Sequence, residues 1–217
     1  MQKKKAILQQ KLFNTSMGNM KAINRIVWGL IILIVGACSG ELAPKEYIEW
    51  IRNPENGLHK QKQVGDFMFD VQYKPQAYLL LQQKQGQIPK KAQFDQEMHE
   101  LANTASFELK LGAVDGKTDL LRYKTTNQAE YDQKVYYYSF KFQESIYLEQ
   151  GDQKFPCAAY HFERAYNLKN NRSFILGFDG VDTTQPMRLV IDADVLHTGP
   201  VKLSFDASKI PILTVAE

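Results

Sequence analysis

The chain has 217 residues, of which 44% are hydrophobic, 12% aromatic and 24% charged. That is a globular composition; it excludes disordered and collagen-like classes, and the length suits a single domain. The net charge of +3 is uneven: residues 1–37 hold six of the 27 Lys and Arg and no acid. The remainder carries 21 basic against 24 acidic residues, net −3, so a basic face for nucleic acid loses its support.

The first pattern in chain order is the apolar run Ile26 to Val35, preceded by Lys21 and Arg25 and followed by Gly36-Ala37-Cys38. It falls short of the about 20 apolar residues that cross a bilayer, and reads instead as the core of a secretory signal. Val35-Gly36-Ala37-Cys38 resembles the lipobox of bacterial lipoprotein precursors: an aliphatic residue, two small residues and a Cys. The resemblance implies cleavage between Ala37 and Cys38 and lipidation of Cys38, with two or more acyl chains giving firm anchoring. Residues 1–37 are then a signal peptide, with Met20 offering a second start. Residues 38–43 form a lipidated tether, and 44–217 a single globular domain. Six residue steps from Cys38 to Pro44 reach at most about 20 Å. Ser39 stands where Asp would mark inner-membrane retention, so the resemblance favours the outer membrane. Surface-exported lipoproteins of Bacteroidota, which the composition resembles, often carry an acidic run after the Cys; with Glu41 the one acid before Pro44, the resemblance favours the periplasm-facing leaflet over the cell surface.

Pro44 to Ile51 reads as a short helix, opened by Pro44 and ended by Asn53-Pro54. Phe67, Phe69, Val71 and Tyr73 alternate with Met68, Asp70 and Gln72, as a half-buried strand does. Pro75–Gln85 and Pro89–Asn103 read as helices, the second with Phe94, Met98, Leu101 and Ala102 on one face. A helical turn is expected over Gln128–Lys134. Strands then follow at Phe107–Leu111, Phe140–Phe142, Ile146–Leu148, Ala158–Phe162, Phe174–Phe178, Met187–Ile191 and Val201–Phe205. Seven or eight strands, each with one apolar face, need a second layer. The expected class is α+β: a β-rich sandwich or curved antiparallel sheet with two or three packed helices.

Chemistry is sparse. No Gly-x-Ser-x-Gly elbow, P-loop or Gly-x-Gly-x-x-Gly occurs in the sequence. His99-Glu100-Leu-Ala-Asn103 lacks the second His of a zinc helix. His59, His161 and His197 stand in no ligand spacing, so neither metal nor cofactor is expected. With Cys38 committed to lipid, Cys157 has no disulfide partner and reads as a buried, inert thiol. Asp192 and Asp194 would share one strand face about 6.5–7 Å apart. With Glu163 they are the acids on which an envelope hydrolase would rest, but no catalytic set is assigned. Tyr136-Tyr137-Tyr138, read as strand, must turn at least one ring outward, and with Phe140 nearby it is the candidate binding surface. Ordinary strand packing with one wet hydroxyl is the alternative. Asp182-Thr183-Thr184 resembles an O-glycosylation site of Bacteroidota envelope proteins.

Three stretches, Asn53-Pro-Glu-Asn-Gly-Leu58, Val71-Gln-Tyr-Lys-Pro75 and Tyr160-His-Phe-Glu-Arg164, resemble an uncharacterised group of Bacteroidota outer-membrane lipoproteins. The group brings no assigned activity. The expectation is a non-enzymatic accessory subunit of an outer-membrane protein complex, bound to the membrane through lipid on Cys38. The alternative is a lipoprotein that binds glycan or lipid.

Overall fold

Alternating apolar residues give each long strand one oily face, and two antiparallel sheets bury those faces against each other. The computed structural model describes residues 40–163 and 170–215. Ala37, Cys38 and the rest of the expected signal lie outside the described residues. The first sheet contains β2 (His59–Val64), β3 (Phe67–Lys74), β4 (Thr104–Ala113), β7 (Ala159–Glu163) and β8 (Arg172–Asp179), in the order β2-β3-β4-β8-β7. The second contains β5 (Ile146–Gln150), β6 (Gln153–Pro156), β9 (Met187–Ile191) and β10 (Val201–Phe205), in the order β10-β9-β5-β6. A two-residue parallel pair, β1 (Glu41–Leu42) with β11 (Ile212–Leu213), stands apart. The class is α+β.

Register puts apolar residues in rows. Val71 pairs with Leu109, and Leu109 with Phe174. Leu148 and Leu203 flank Leu189 in the second sheet. All six are buried. The layers meet at Phe107, whose ring lies 5.1 Å from Tyr73, 5.8 Å from Phe178 and 5.2 Å from Phe205 of the opposite sheet. Each such ring contributes roughly 1.5–3 kcal/mol by leaving water. The chain changes sheet at Cys157: its N–H donates to Ile146 O (3.2 Å), and the Ala158 N–H donates to Gly177 O (2.8 Å). On the opposite side the sheet edges approach, with Lys62 Nζ donating to Lys202 O at 3.4 Å.

Four α-helices occur among the described residues. α1 (Pro44–Arg52) buries Tyr47 and Ile51, α2 (Gln76–Gln83) buries Tyr78 and Leu81, and α3 (Lys91–Glu100) buries Phe94. α3 is shorter than Pro89–Asn103 because Asn103 turns left-handed (φ 60°) and the chain enters β4 at Thr104. α4 (Gln128–Tyr136) opens on a reciprocal cap: Asn127 Oδ1 accepts from the Glu130 N–H (3.0 Å), and Glu130 accepts from the Thr126 N–H (2.7 Å). It runs into a π-helical turn, Tyr137–Lys141, and a 3-10 turn, Phe142–Ser145.

The strand expected over Phe140–Phe142, and with it the strand reading of Tyr136–Tyr138, is therefore corrected to helix. The deciding contacts are four residues apart rather than two. Tyr138 and Phe142 both point into the core, their centroids 5.3 Å apart. The strands number eleven among the described residues, against seven or eight expected; β2 and β6 are edge strands of mostly polar sequence. No described helix is long and apolar enough to cross a membrane.

Candidate functional site

The expected tyrosine surface resolves into one exposed ring and two engaged ones. Tyr136, 56% exposed, pairs with Phe140, 61% exposed, their centroids 5.4 Å apart and tilted by 48°. Tyr137 is half-buried, with its hydroxyl 3.4 Å from Ser145 Oγ. Tyr138 is core, packed on Phe142 and Phe174, and its carbonyl accepts from the Tyr160 hydroxyl. The outward platform is thus Tyr136–Phe140, an apolar ledge that the π-turn presents and the buried Tyr138 and Phe142 hold in place. Lys141 and Glu144 form an ion pair (3.0 Å) beside it.

A second feature was not legible in the sequence. A cavity of about 280 Å³ opens between α1, the end of β3, α3 and the segment Ile210–Leu213. Phe94, Met98 and Leu213 supply apolar wall, while Tyr47, Tyr73, Gln76 and Thr183 supply polar atoms. The Gln76 side chain donates to Thr104 O (2.8 Å) and Thr183 Oγ1 (3.4 Å), and Thr183 lies close enough to Tyr73 to offset part of the effect of burial on its hydroxyl. Among the described residues no charged side chain lines the cavity. Burial pushes both tyrosine hydroxyls far above their ordinary 10.0, so both stay protonated donors. One signal did point here: Tyr73 ends an otherwise hydrocarbon face of Phe67, Phe69 and Val71, placing a hydroxyl in the core. A wider depression of about 480 Å³, with polar and apolar lining mixed, lies on the outer face of β3 and β4 at Met68, Asp70, Lys110 and Asn171.

The candidate acids do not assemble. β9 ends at Ile191, so Asp192 and Asp194 do not share a strand face; Asp194 instead opens a 3-10 turn. Glu163 closes β7 in the other sheet. All three are exposed, and none lines either cavity. His59 is held by Asp70 (2.6 Å), while His99, His161 and His197 are exposed on separate elements. Among the described residues no three His, Cys, Asp or Glu converge. Cys157 is buried and donates to Ala159 O (3.2 Å), and burial pushes its thiol up to about 11, the opposite of activation. Asp182 accepts from the Thr184 N–H (3.0 Å) and hydroxyl (2.6 Å), while the Thr183 hydroxyl accepts from Gln76 at the cavity wall. The middle residue of the glycosylation-like triplet is therefore half-buried and engaged at the cavity wall.

No family model matches the chain. No curated protein matches it. A solved structure described as a novel protein of unknown function from Burkholderia pseudomallei K96243 is similar over 82% of this chain and 97% of that one. The identity is 9% and the TM-score 0.32.

Proposed function

We propose that the chain is an envelope lipoprotein, anchored through lipid on Cys38 in the periplasm-facing leaflet of the outer membrane. Its folded body serves as a non-enzymatic accessory subunit of an outer-membrane protein complex, touching its partner through Tyr136 and Phe140. The observation that carries this reading is the exposed aromatic pair. Aromatic side chains are enriched at the centres of protein interfaces, and a rigid pair loses little side-chain freedom on docking. The π-turn that presents it is a rare element, common at functional sites. The tether, at most about 20 Å long, would keep the body within reach of a membrane-embedded partner.

The test is affinity capture of the tagged full chain from gently solubilised membranes, beside Cys38→Ala and the double variant Tyr136→Ser/Phe140→Ser. The expected result is a stoichiometric membrane protein with the wild type. The ledge variant loses it while still sedimenting with membranes, and Cys38→Ala no longer sediments. Wild type captured alone overturns the subunit reading; membrane-bound Cys38→Ala overturns the anchor. The cavity favours a second reading, a lipoprotein that binds a lipidic ligand.

A further inference from the structure

We infer that the cavity between α1, α3 and β11 binds a single-chain amphiphile with a small, uncharged, oxygen-bearing head, of the fatty-alcohol or fatty-ester class. This deepens the second reading. The main observation is a hydroxyl without a partner. Tyr47 is 2% exposed and lines the cavity, yet its hydroxyl makes no hydrogen bond among the described residues. The hydroxyl is not sealed off: it borders the open cavity, where a ligand oxygen can reach it. Its neighbour Tyr73 has Thr183 beside it. Tyr47 thus offers one donor to an acceptor that enters from outside.

The rest of the wall defines that acceptor's carrier. With no cation or anion among the described lining residues, an ionised head would find no compensating charge there, which favours a neutral head. A cavity of about 150 Å³ holds a benzene. At about 280 Å³ this one encloses about ten to twelve carbon atoms, the length of a medium alkyl chain. Phe94, Met98, Ile210 and Leu213 form the hydrocarbon side, leading to Ile212, which is 61% exposed at the rim. Ile212 pairs with Glu41 in the β1–β11 ladder. Cys38 precedes Glu41 by three residues, at most about 10 Å of extended chain, so on the anchored reading the rim lies within reach of the bilayer, the source of such ligands.

The experiment is photolabelling of the full chain in native membranes with 1-decanol carrying a terminal diazirine, the adducts mapped by mass spectrometry. Matched probes built on decane and decanoate are run at pH 8. Decanol is expected to label the Phe94–Met98 and Ile210–Leu213 segments, with decane and decanoate at least fivefold weaker. Tyr47→Phe is expected to lower decanol labelling five- to tenfold while leaving the melting temperature unchanged or raised, because it deletes an unpaired hydroxyl. Met98→Trp, filling the cavity from a half-buried position, is expected to abolish labelling in a folded chain. Adducts confined to other residues, equal labelling by decane, or no effect of either variant overturns the inference. Cys38→Ala separates it from the anchor: cavity labelling of a detached chain upholds the site, and a chain that stays on the membrane overturns the anchor alone.

Discussion

Gly177 sits opposite Ala159 in the β8–β7 register, and a Cβ on Gly177 would approach the Ala159 Cβ to 2.9 Å. Two side chains do not fit there, so the close approach of the strands depends on one of them being absent. Gly177→Ala is expected to cost about 1–3 kcal/mol in urea unfolding, as overpacking does. Adding Ala159→Gly should recover much of that loss, making the pair strongly non-additive.

Ion pairs in this fold differ by burial. Arg172 and Asp119 are nearly enclosed, and Asp119 also accepts from the Leu121 N–H at 2.8 Å. Asp119→Ala leaves a buried guanidinium without this carboxylate and is expected to cost about 3–5 kcal/mol. Lys124 and Asp66 pair at 2.8 Å in the open. Lys124 holds the Asp66 carboxyl below its ordinary value, yet Asp66→Asn should leave the urea midpoint unchanged within error.

Alkaline conditions should weaken the fold. Burial raises the Cys157 thiol from 9.0 to about 11, and raises the hydroxyls of Tyr47, Tyr73, Tyr138 and Tyr160 well above 10.0. A folded-state value above the unfolded one gives stability that is full below the unfolded value and is lost as pH rises through the folded one. Stability should therefore fall from about pH 9 upward, and these tyrosines should ionise only as the chain unfolds. Absorbance at 295 nm followed beside circular dichroism checks this; a tyrosinate signal that precedes unfolding would contradict it. Native Cys157 should resist alkylation at pH 8 and react once urea is added.

At the acid end the relevant group is Glu108. Burial pushes its carboxyl up, but Lys74 at 2.7 Å and Lys110 at 3.4 Å outweigh burial and hold it below 4.5. A depressed folded value gives stability that is present above 4.5 and lost as pH falls through the folded value. Glu108→Gln should lower stability at pH 7 by up to about 1 kcal/mol and flatten the decline below pH 4.5. Melting curves from pH 3 to 7 would show both.

How much of this was legible in the sequence depends on where each signal lies. Phe67 to Tyr73 announced β3 because consecutive residues face opposite layers, so burial is written into spacing. His59 to Gln63 announced nothing: β2 is an edge strand, held by backbone pairing to β3 with little oil of its own. Tyr136 to Phe142 misled, since three tyrosines have the propensity of a strand while the Asn127 cap and the Tyr138–Phe142 contact make a helix. That one tyrosine of Tyr136–Tyr138 turns outward was legible; that it is Tyr136, and that Phe140 joins it while Phe142 is buried, was not, since a strand reading puts Phe140 and Phe142 on one face. Of the cavity only Tyr73, a hydroxyl at the end of an apolar face, gave any sign. Its polar atoms come from Tyr47, Tyr73, Gln76 and Thr183, brought together by tertiary packing that no local spacing encodes.

The strand order of the first sheet also dictates an order of assembly. β4 is central, with β3 beside it from the start, but its other neighbour is β8: Leu111 waits for Arg172, and Thr104 for Asp179. Until then Phe107 and Leu109 sit on an unpaired edge while α4 and three strands of other pairings are set aside as a loop. Contacts this distant are slow to close, and an exposed apolar edge invites association between chains in the meantime. Refolding of this protein should accordingly be slow and sensitive to concentration, and a chaperone that shields β4 would relieve both.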